Sequence, residues 1–127
     1  MIYLKKYCTI ISVIYDIVYF AVPGQVQGSS LKPGSHNISV NWKKPIINSY
    51  CVTQYVIYWV HTLNGSNNSS IASSAENSFV IEDLDAYEVY KVSVRALNEK
   101  NEGMDAVTVN TTTESVGNYH AQIILLH

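Results

Sequence analysis

The sequence predicts an all-β protein, specifically a sandwich of about seven short strands. Stretches in which apolar and polar residues alternate recur along the chain, and such alternation is typical of a strand with one face in a core. Turn-forming residues separate these stretches, and no amphipathic helix is evident. Ten tyrosines, together with many Val and Ile residues, also favour strands over helices.

Composition narrows the functional classes. The 127 residues are enough for one domain with its own core. Hydrophobic residues make up 47% of the chain and charged residues 14%, so the chain is not of the disordered class. The net charge is −2 and the sequence has no basic stripe, which argues against a nucleic acid partner.

Residues 1–22 have the layout of a signal peptide. Lys5 and Lys6 precede a mostly apolar run over residues 7–22. The run is shorter than the ~20 residues of a spanning helix, and Asp16 within it would cost about 3 kcal/mol on insertion. Three interpretations stay open: an atypical signal sequence, a signal anchor, and a mispredicted or truncated N-terminus. Each places the segment outside the folded core, and we expect membrane contact only through this leader or through a missing segment.

The folded domain is predicted to begin at the Pro23–Gly24 pair, since both residues interrupt regular structure. Val26 is expected to begin a short edge strand. Residues 28–34 have the composition of a turn. The next strand, over residues 36–42, places three apolar side chains on one face: Ile38, Val40 and Trp42.

The stretch over residues 50–61 is the densest strand candidate, because its two faces are both apolar. One face carries Tyr55, Ile57 and Trp59, and the other carries Val56, Tyr58 and Val60. This strand is therefore either covered on its outer side or exposes aromatic side chains there. Asn64 and Gly65 then predict a hairpin, and residues 63–74 predict a loop with at most one weak strand around Ile71.

The second half of the domain is organised around a long strand within residues 84–98. Its apolar face carries Tyr90, Val92, Val94 and Ala96. A tyrosine that opens a strand after a short polar corner is typical of a tyrosine corner, in which the ring is buried and the hydroxyl bonds to upstream backbone. A short strand over residues 78–81 precedes it, and a polar loop over residues 98–105 and a last strand over residues 106–113 follow. Residues 116–127 are interpreted as a tail, for which a truncated continuation is one explanation.

Taken together, these residues resemble a fibronectin type III domain over residues 23–115, and the resemblance implies a seven-stranded immunoglobulin-like β-sandwich. The family pattern has a Pro at the start, a Trp and then a Pro around the second strand, and a third strand containing Tyr. It continues with a Leu corner, a strand opened by Tyr, a loop with Asn and Gly, and a last strand rich in Thr. In this sequence the pattern falls on Pro23, Trp42, Pro45, Val52, Tyr55, Ile57, Trp59, Leu84, Tyr90, Val92, Val94, Ala96, Asn98, Gly103 and Thr111 to Thr113. The corner departs from the pattern, because Ala86 and Glu88 replace its usual Pro and Thr.

The resemblance and the strand parity imply both a core and a ligand face. Seven residues are assigned to the core: Trp42, Tyr55, Ile57, Leu84, Tyr90, Val92 and Val94. Two loops, Lys44 to Ser49 and Asn98 to Asp105, should lie at one end of the sandwich and form the ligand face. Its candidate residues are the apolar anchors Ile46 and Ile47, with Asn48, Lys100, Asn101 and Glu102. Edge strands offer a second mode of recognition, strand addition.

The two cysteines are not expected to pair with each other. Cys8 lies in the leader, outside the predicted domain, and this leaves Cys51 without a partner inside the domain. We interpret Cys51 as a small buried thiol that packs as a hydrophobic residue. The alternative is an intermolecular disulfide.

Five N-x-Ser/Thr sequons predict a glycoprotein if the chain enters the secretory pathway. The sites are Asn37, Asn64, Asn67, Asn68 and Asn110. Strand parity places the first and the last of them on outward positions, and the other three are assigned to a loop. Asn67 and Asn68 are adjacent, so simultaneous occupancy is not expected. The alternative is that the five are solvated polar side chains.

No motif indicates catalysis, a cofactor or a metal. The sequence has no nucleophile motif, phosphate-binding loop or paired carboxylates. Its four histidines lack the spacing of a metal site, and the acidic corner over residues 82–88 lacks the pattern of a calcium loop. We therefore expect a protein that is not an enzyme and has no cofactor.

The sequence thus predicts an extracellular module of a cell-surface or secreted adhesion or receptor protein. Such a module recognises a protein ligand or acts as a spacer between neighbouring domains. An alternative is the ectodomain fragment of a receptor tyrosine phosphatase or kinase whose catalytic part lies outside this chain. A further alternative is an intracellular structural module, against which the leader and the sequons weigh.

Overall fold

The computed structural model describes residues 2–4, 8–12 and 14–116. Most of the predicted tail, with His120 and His127, lies outside the described residues. Three short strands come first: β1 (Ile2–Leu4), β2 (Thr9–Ser12) and β3 (Ile17–Phe20). They pair in sequence order as a small antiparallel sheet. In the described ranges, no helix has the length and apolar character needed to cross a membrane.

The rest of the fold is a sandwich of two antiparallel sheets. Its seven strands are β4 (Gln27–Pro33), β5 (Ile38–Lys43), β6 (Gln54–His61), β7 (Asn67–Ser73), β8 (Ser78–Ile81), β9 (Val89–Leu97) and β10 (Val107–Thr112). The four-stranded sheet has the order β10–β9–β6–β7, and the three-stranded sheet has the order β4–β5–β8. A 3-10 helix at Ser49–Cys51 lies between β5 and β6. The predicted all-β sandwich is confirmed.

The core lies between the two sheets and consists of the inward residues of each strand. The strands β6 and β9 are neighbours in the four-stranded sheet, and their inward side chains lie side by side on its inner face, as Ile57 and Val94 do. The rings of Trp42 on β5 and Tyr55 on β6 are 5.2 Å apart between centroids and connect the two sheets. All seven residues that the sequence assigns to the core are buried: Trp42, Tyr55, Ile57, Leu84, Tyr90, Val92 and Val94.

Two edge strands lie where the sequence predicts a turn and a loop. Residues 28–34 were predicted to be a turn, but most of them belong to β4, whose backbone pairs with β5. Similarly, β7 occupies the centre of the predicted loop over residues 63–74 and pairs with β6 over seven residues. Both strands pair with one neighbour, and each places few apolar side chains against the core, Leu31 on β4 and Ala72 on β7, so the apolar alternation in their sequence is weak.

These strands change the predicted places of three sequons. Asn67 and Asn68 are the first residues of β7 and do not lie in a loop. Asn37 does not occupy a strand position, since it lies in the connection between β4 and β5 and precedes Ile38. Asn64 is in the tight connection between β6 and β7, as predicted, where Gly65 has a φ of 72°. All of these asparagines are exposed.

Candidate functional site

The two predicted ligand loops meet at one end of the sandwich, which we call the N-terminal pole. The pole consists of residues 44–49, residues 98–105 and the chain around Gly24. The backbone N–H of Gly24 donates to the carbonyl of Ile47 at 2.9 Å, and the N–H of Met104 donates to the carbonyl of Pro23 at 3.2 Å. The start of the domain is therefore hydrogen-bonded to both loops, and it holds them side by side.

Exposed apolar side chains occupy the centre of this pole. Ile46 is 80% exposed, Ile47 is 61% exposed and Met104 is 53% exposed. Together with Gly24 and two glutamines they line a shallow, open depression of about 250 Å³. Met104 was not among the candidate residues from the sequence. Its signal was present, because it is an apolar residue in an otherwise polar loop.

The first loop holds its two isoleucines outward through its neighbours. Pro45 is buried and anchors the loop on the sandwich. Asn48 adopts the left-handed conformation, with a φ of 54°, which Asn tolerates better than most residues. Its side-chain amide donates to the carbonyl of Val22 at 2.9 Å. Asn48 therefore positions the loop, and the ligand contact predicted for it from the sequence stays a prediction.

The second loop is organised by Asn98, which is only 2% exposed. Its side-chain oxygen accepts hydrogen bonds from the backbone N–H groups of Lys100 and Glu102, both at 2.9 Å. Its side-chain nitrogen donates to the carbonyl of Ala21 at 3.0 Å. Gly103 is required for the same turn, because a Cβ at this position would overlap the carbonyl oxygen of Ala96.

The three polar candidates of the second loop all make contacts within the chain. The ammonium group of Lys100 lies 5.0 Å from the ring centroid of Phe20. The side-chain oxygen of Asn101 accepts a hydrogen bond from Gln54 at 3.0 Å. A carboxylate oxygen of Glu102 accepts one from the Asn98 side chain at 3.3 Å. These side chains hold the loop and the N-terminal segment in place, while the isoleucines and Met104 project.

The N-terminal segment is joined covalently to this pole, which corrects the prediction for Cys51. Cys51 is not a free thiol: it forms a disulfide with Cys8, 43 residues earlier. The chain after β3 brings Cys8 there, because the N–H of Ala21 donates to the carbonyl of Cys8 at 2.7 Å at the entry to the sandwich. The sequence could not show this pairing, because it depends on how the leader segment folds back.

The outer face of the four-stranded sheet is a second exposed surface. Tyr58 is 40% exposed and Ile71 is 63% exposed, while Val56 is half-buried between strands. Tyr58 and Val56, together with Ser93 and Arg95 on β9, line an open depression of about 310 Å³ on this face. Of the two possibilities left by the sequence, the strand over residues 54–61 therefore exposes an aromatic side chain on its outer face.

The acidic corner surrounds a buried histidine on the opposite pole. The Nε2 of His61 lies 3.8 Å from a carboxylate oxygen of Asp85 and 3.7 Å from one of Glu88. The ring of His61 meets that of Tyr90 edge-on, with 5.0 Å between centroids. Among the residues that the structure describes, no group of three or more His, Cys, Asp or Glu side chains is placed to hold a metal ion.

The family model of the fibronectin type III domain matches residues 21–112, which is more than half of the chain. The chain belongs to the fibronectin type III family. Domains of this family have a non-catalytic module fold and occur commonly in extracellular and cell-surface proteins. No curated protein matches the sequence of this one.

Several solved structures of fibronectin type III domains are similar to this one. The FN5 domain of Drosophila Lar is 25% identical, with a TM-score of 0.58, and the match covers 75% of this chain and all of that domain. The FN1–FN3 domains of chicken CNTN1 are 23% identical, with a TM-score of 0.66, over 78% of this chain and 36% of that one. A domain of human collagen XX is 21% identical, with a TM-score of 0.61, and the match covers 72% of this chain and 92% of that one.

Proposed function

We propose that this protein is an extracellular recognition module of a cell-surface or secreted adhesion or receptor protein. It binds a protein ligand or a neighbouring domain through the N-terminal pole. The observation that carries this proposal is the exposure of Ile46, Ile47 and Met104 on two adjacent loops. Apolar side chains that project together from a polar surface are typical of an interaction site.

The loops are well suited to present these side chains. Hydrogen bonds to Pro23, Gly24 and Val22 fix both loops at the entry to the sandwich. A loop that is already ordered loses little conformational entropy on binding, so more of the contact energy remains as affinity. The polar side chains around the depression then form the rim that such interfaces usually have.

The disulfide supports the extracellular location. Disulfides form and persist in oxidising compartments and are rare in the cytosol. The Cys8–Cys51 bond therefore favours the secretory pathway for this chain. The five sequons become accessible to glycosylation in that pathway, and the exposure of each of their asparagines is compatible with an attached glycan.

Binding to intact cells tests the proposed function. The domain is secreted from cultured cells as a tagged protein and applied to a panel of cell lines, and bound ligands are identified after cross-linking. Ile46→Ser is expected to weaken binding to the identified ligand. Leu63→Ser is the matched control, because both Leu63 and Ile46 are 80% exposed, and Leu63 lies in the connection after β6, away from the pole.

Two results would contradict the proposal. Equal binding by the parent and Ile46→Ser, with a loss in Leu63→Ser, would place the interface elsewhere. Retention of the full-length protein in the cytosol, with both cysteines reactive toward an alkylating reagent in intact cells, would rule out the extracellular location.

A further inference from the structure

The edges of the two sheets differ in how they are protected from pairing with another chain. A free edge presents unpaired backbone N–H and C=O groups, which promote aggregation unless charge, Pro, a bulge or a short strand interrupts them. In the three-stranded sheet, β4 has a register shift between Gln27 and Ser30 and ends at Pro33. The other edge strand, β8, is only four residues long. Both edges therefore have recognisable protection.

The edges of the four-stranded sheet have none of these devices. The strand β7 has seven residues, N-N-S-S-I-A-S, and β10 has six, V-T-V-N-T-T. Neither contains a charged residue or a Pro, and each pairs with one neighbour in the described part of the chain; β4 of the other sheet lies beside β10 without pairing with it. Ile71 of β7 is 63% exposed, which adds an apolar contact to the free edge. An edge without charge, Pro or a bulge lacks the features that usually prevent a second chain from adding a strand.

Each of these two edge strands carries a sequon on the outer face of the sheet. Asn110 of β10 lies opposite Lys91, Lys91 lies opposite Val60, and Val60 lies opposite Asn67 of β7. The four residues form one row across the sheet, so Asn67 and Asn110 are three strand spacings apart, or about 14 Å. Both asparagines are exposed. A glycan on each would stand at the margin of the sheet, beside the free backbone.

We propose that N-glycans on Asn67 and Asn110 protect the two free edges of the four-stranded sheet. This inference rests on the proposed function, since it requires passage through the secretory pathway. The donor is an oligosaccharide linked to a lipid diphosphate. The side-chain amide nitrogen forms a bond to its anomeric carbon, the anomeric C–O bond breaks, the lipid diphosphate leaves with the electron pair, and the nitrogen gives up one proton. The glycans then exclude a second chain from these edges and close them to strand addition.

The remaining sequons provide a control within the same molecule. Asn37 lies in the connection between β4 and β5, and Asn64 lies in the connection between β6 and β7. In neither case does the sequon occupy an edge strand. Asn68 adjoins Asn67 and would accept a glycan in its absence, so it is replaced together with Asn67. Removal of loop glycans should leave the edges protected, whereas removal of edge glycans should not.

The experiment compares secreted variants by glycopeptide mass spectrometry and by size-exclusion chromatography with light scattering. The parent and the loop variant Asn37→Gln/Asn64→Gln are expected to elute as monomers. The edge variant Asn67→Gln/Asn68→Gln/Asn110→Gln is expected to lose its monomer peak to dimers and larger species. Asn67→Lys/Asn68→Gln/Asn110→Lys should recover the monomer without glycans on the edge strands, because charge protects an edge by a different route.

Different results distinguish the failure of this inference from that of the proposed function. Glycans on β7 and β10 whose removal leaves the protein monomeric would overturn the protective role and leave the extracellular assignment intact. Glycans found on the loop sites alone would also overturn it. A chain that stays in the cytosol, with no glycan on any sequon, would overturn both.

Discussion

The backbone N–H of Asp85 donates a hydrogen bond to the hydroxyl of Tyr90 at 3.0 Å, across the corner between the two sheets. This is the tyrosine corner, formed here without the Pro and Thr that usually stiffen it. Thr113, just after β10, compensates for them. Its hydroxyl donates to the carbonyl of Asp85 at 2.7 Å and accepts from the N–H of Glu88 at 2.9 Å. The C-terminal end of the domain is therefore hydrogen-bonded to the corner and stabilises it.

The Tyr90 hydroxyl should make a modest, measurable contribution to stability. Tyr90→Phe keeps the ring and removes the hydrogen bond, so we expect the free energy of unfolding to fall by about 0.5–1.5 kcal/mol. Chemical denaturation followed by tryptophan fluorescence measures the change. Tyr58→Phe is the control, because Tyr58 lies on the exposed outer face of β6. An equal loss in both variants would show that the corner bond has no special role.

Replacement of Thr113 should cost more than replacement of the Tyr90 hydroxyl. Thr113 is 1% exposed, and Thr113→Val leaves the N–H of Glu88 and the carbonyl of Asp85 without this partner. Loss of a buried partner costs about 1–3 kcal/mol. Thr113→Ser retains the hydroxyl and should stay closer to the parent in the same denaturation experiment. A valine variant as stable as the serine variant would show that the hydroxyl does not hold the corner.

The stability of the domain should fall at alkaline pH. Burial raises the pKa of Tyr55 above its ordinary value of 10.0, and the neighbouring Trp42 side chain lowers it by a smaller amount. Burial also raises the pKa of Tyr90, where the backbone bond of Asp85 opposes it and the charges of Asp85 and Glu88 add to it. Just above pH 10 the folded protein therefore keeps the hydroxyl protons of Tyr55 and Tyr90, whereas the unfolded chain has begun to lose them.

The sign of the pH effect follows from this proton count. Below pH 10 both states are protonated at these sites and the contribution to stability is complete; it is lost as the pH rises above 10. Denaturant midpoints at a series of alkaline pH values measure the decline. Tyr55→Phe and Tyr90→Phe should each make the decline shallower. A parent whose midpoint is constant through this range would contradict the expectation.

The strands that the sequence predicts well are those with one face in the core. Trp42, Tyr55 and Tyr90 are found by parity, because the inward positions of their strands are mainly apolar; the buried His61 on β6 is the exception. The edge strands β4 and β7 are not found in this way, because each places only one or two apolar side chains against the core among polar neighbours. The arrangement of the ligand loops followed from the family resemblance.

The details of the site depend on contacts between distant parts of the chain. The hydrogen bond from Asn98 to Ala21 spans 77 residues, and no local pattern reports it. Its bonds to Lys100 and Glu102 are local, however, and an Asn that begins a turn is a known signal for them. Met104 differs from these: it is visible in the sequence as an apolar residue, but the polar residues around it do not indicate a ligand contact.

The Cys8–Cys51 disulfide should stabilise the domain by constraining the unfolded chain. Its loop spans 43 residues and includes β4 and β5, and the chain-entropy estimate for such a loop is about 4 kcal/mol. Cys51→Ser, Cys8→Ser and the double variant should lose similar amounts, because each removes the same bond. Thermal melts of the secreted proteins, with and without a reductant, measure this loss, and the reductant should affect the parent alone.

Alkylation followed by mass spectrometry counts free thiols in the same samples. Removal of the leader after Ala21 would take Cys8 with it and leave one free thiol on Cys51, in which case the parent and Cys51→Ser should melt at nearly the same temperature.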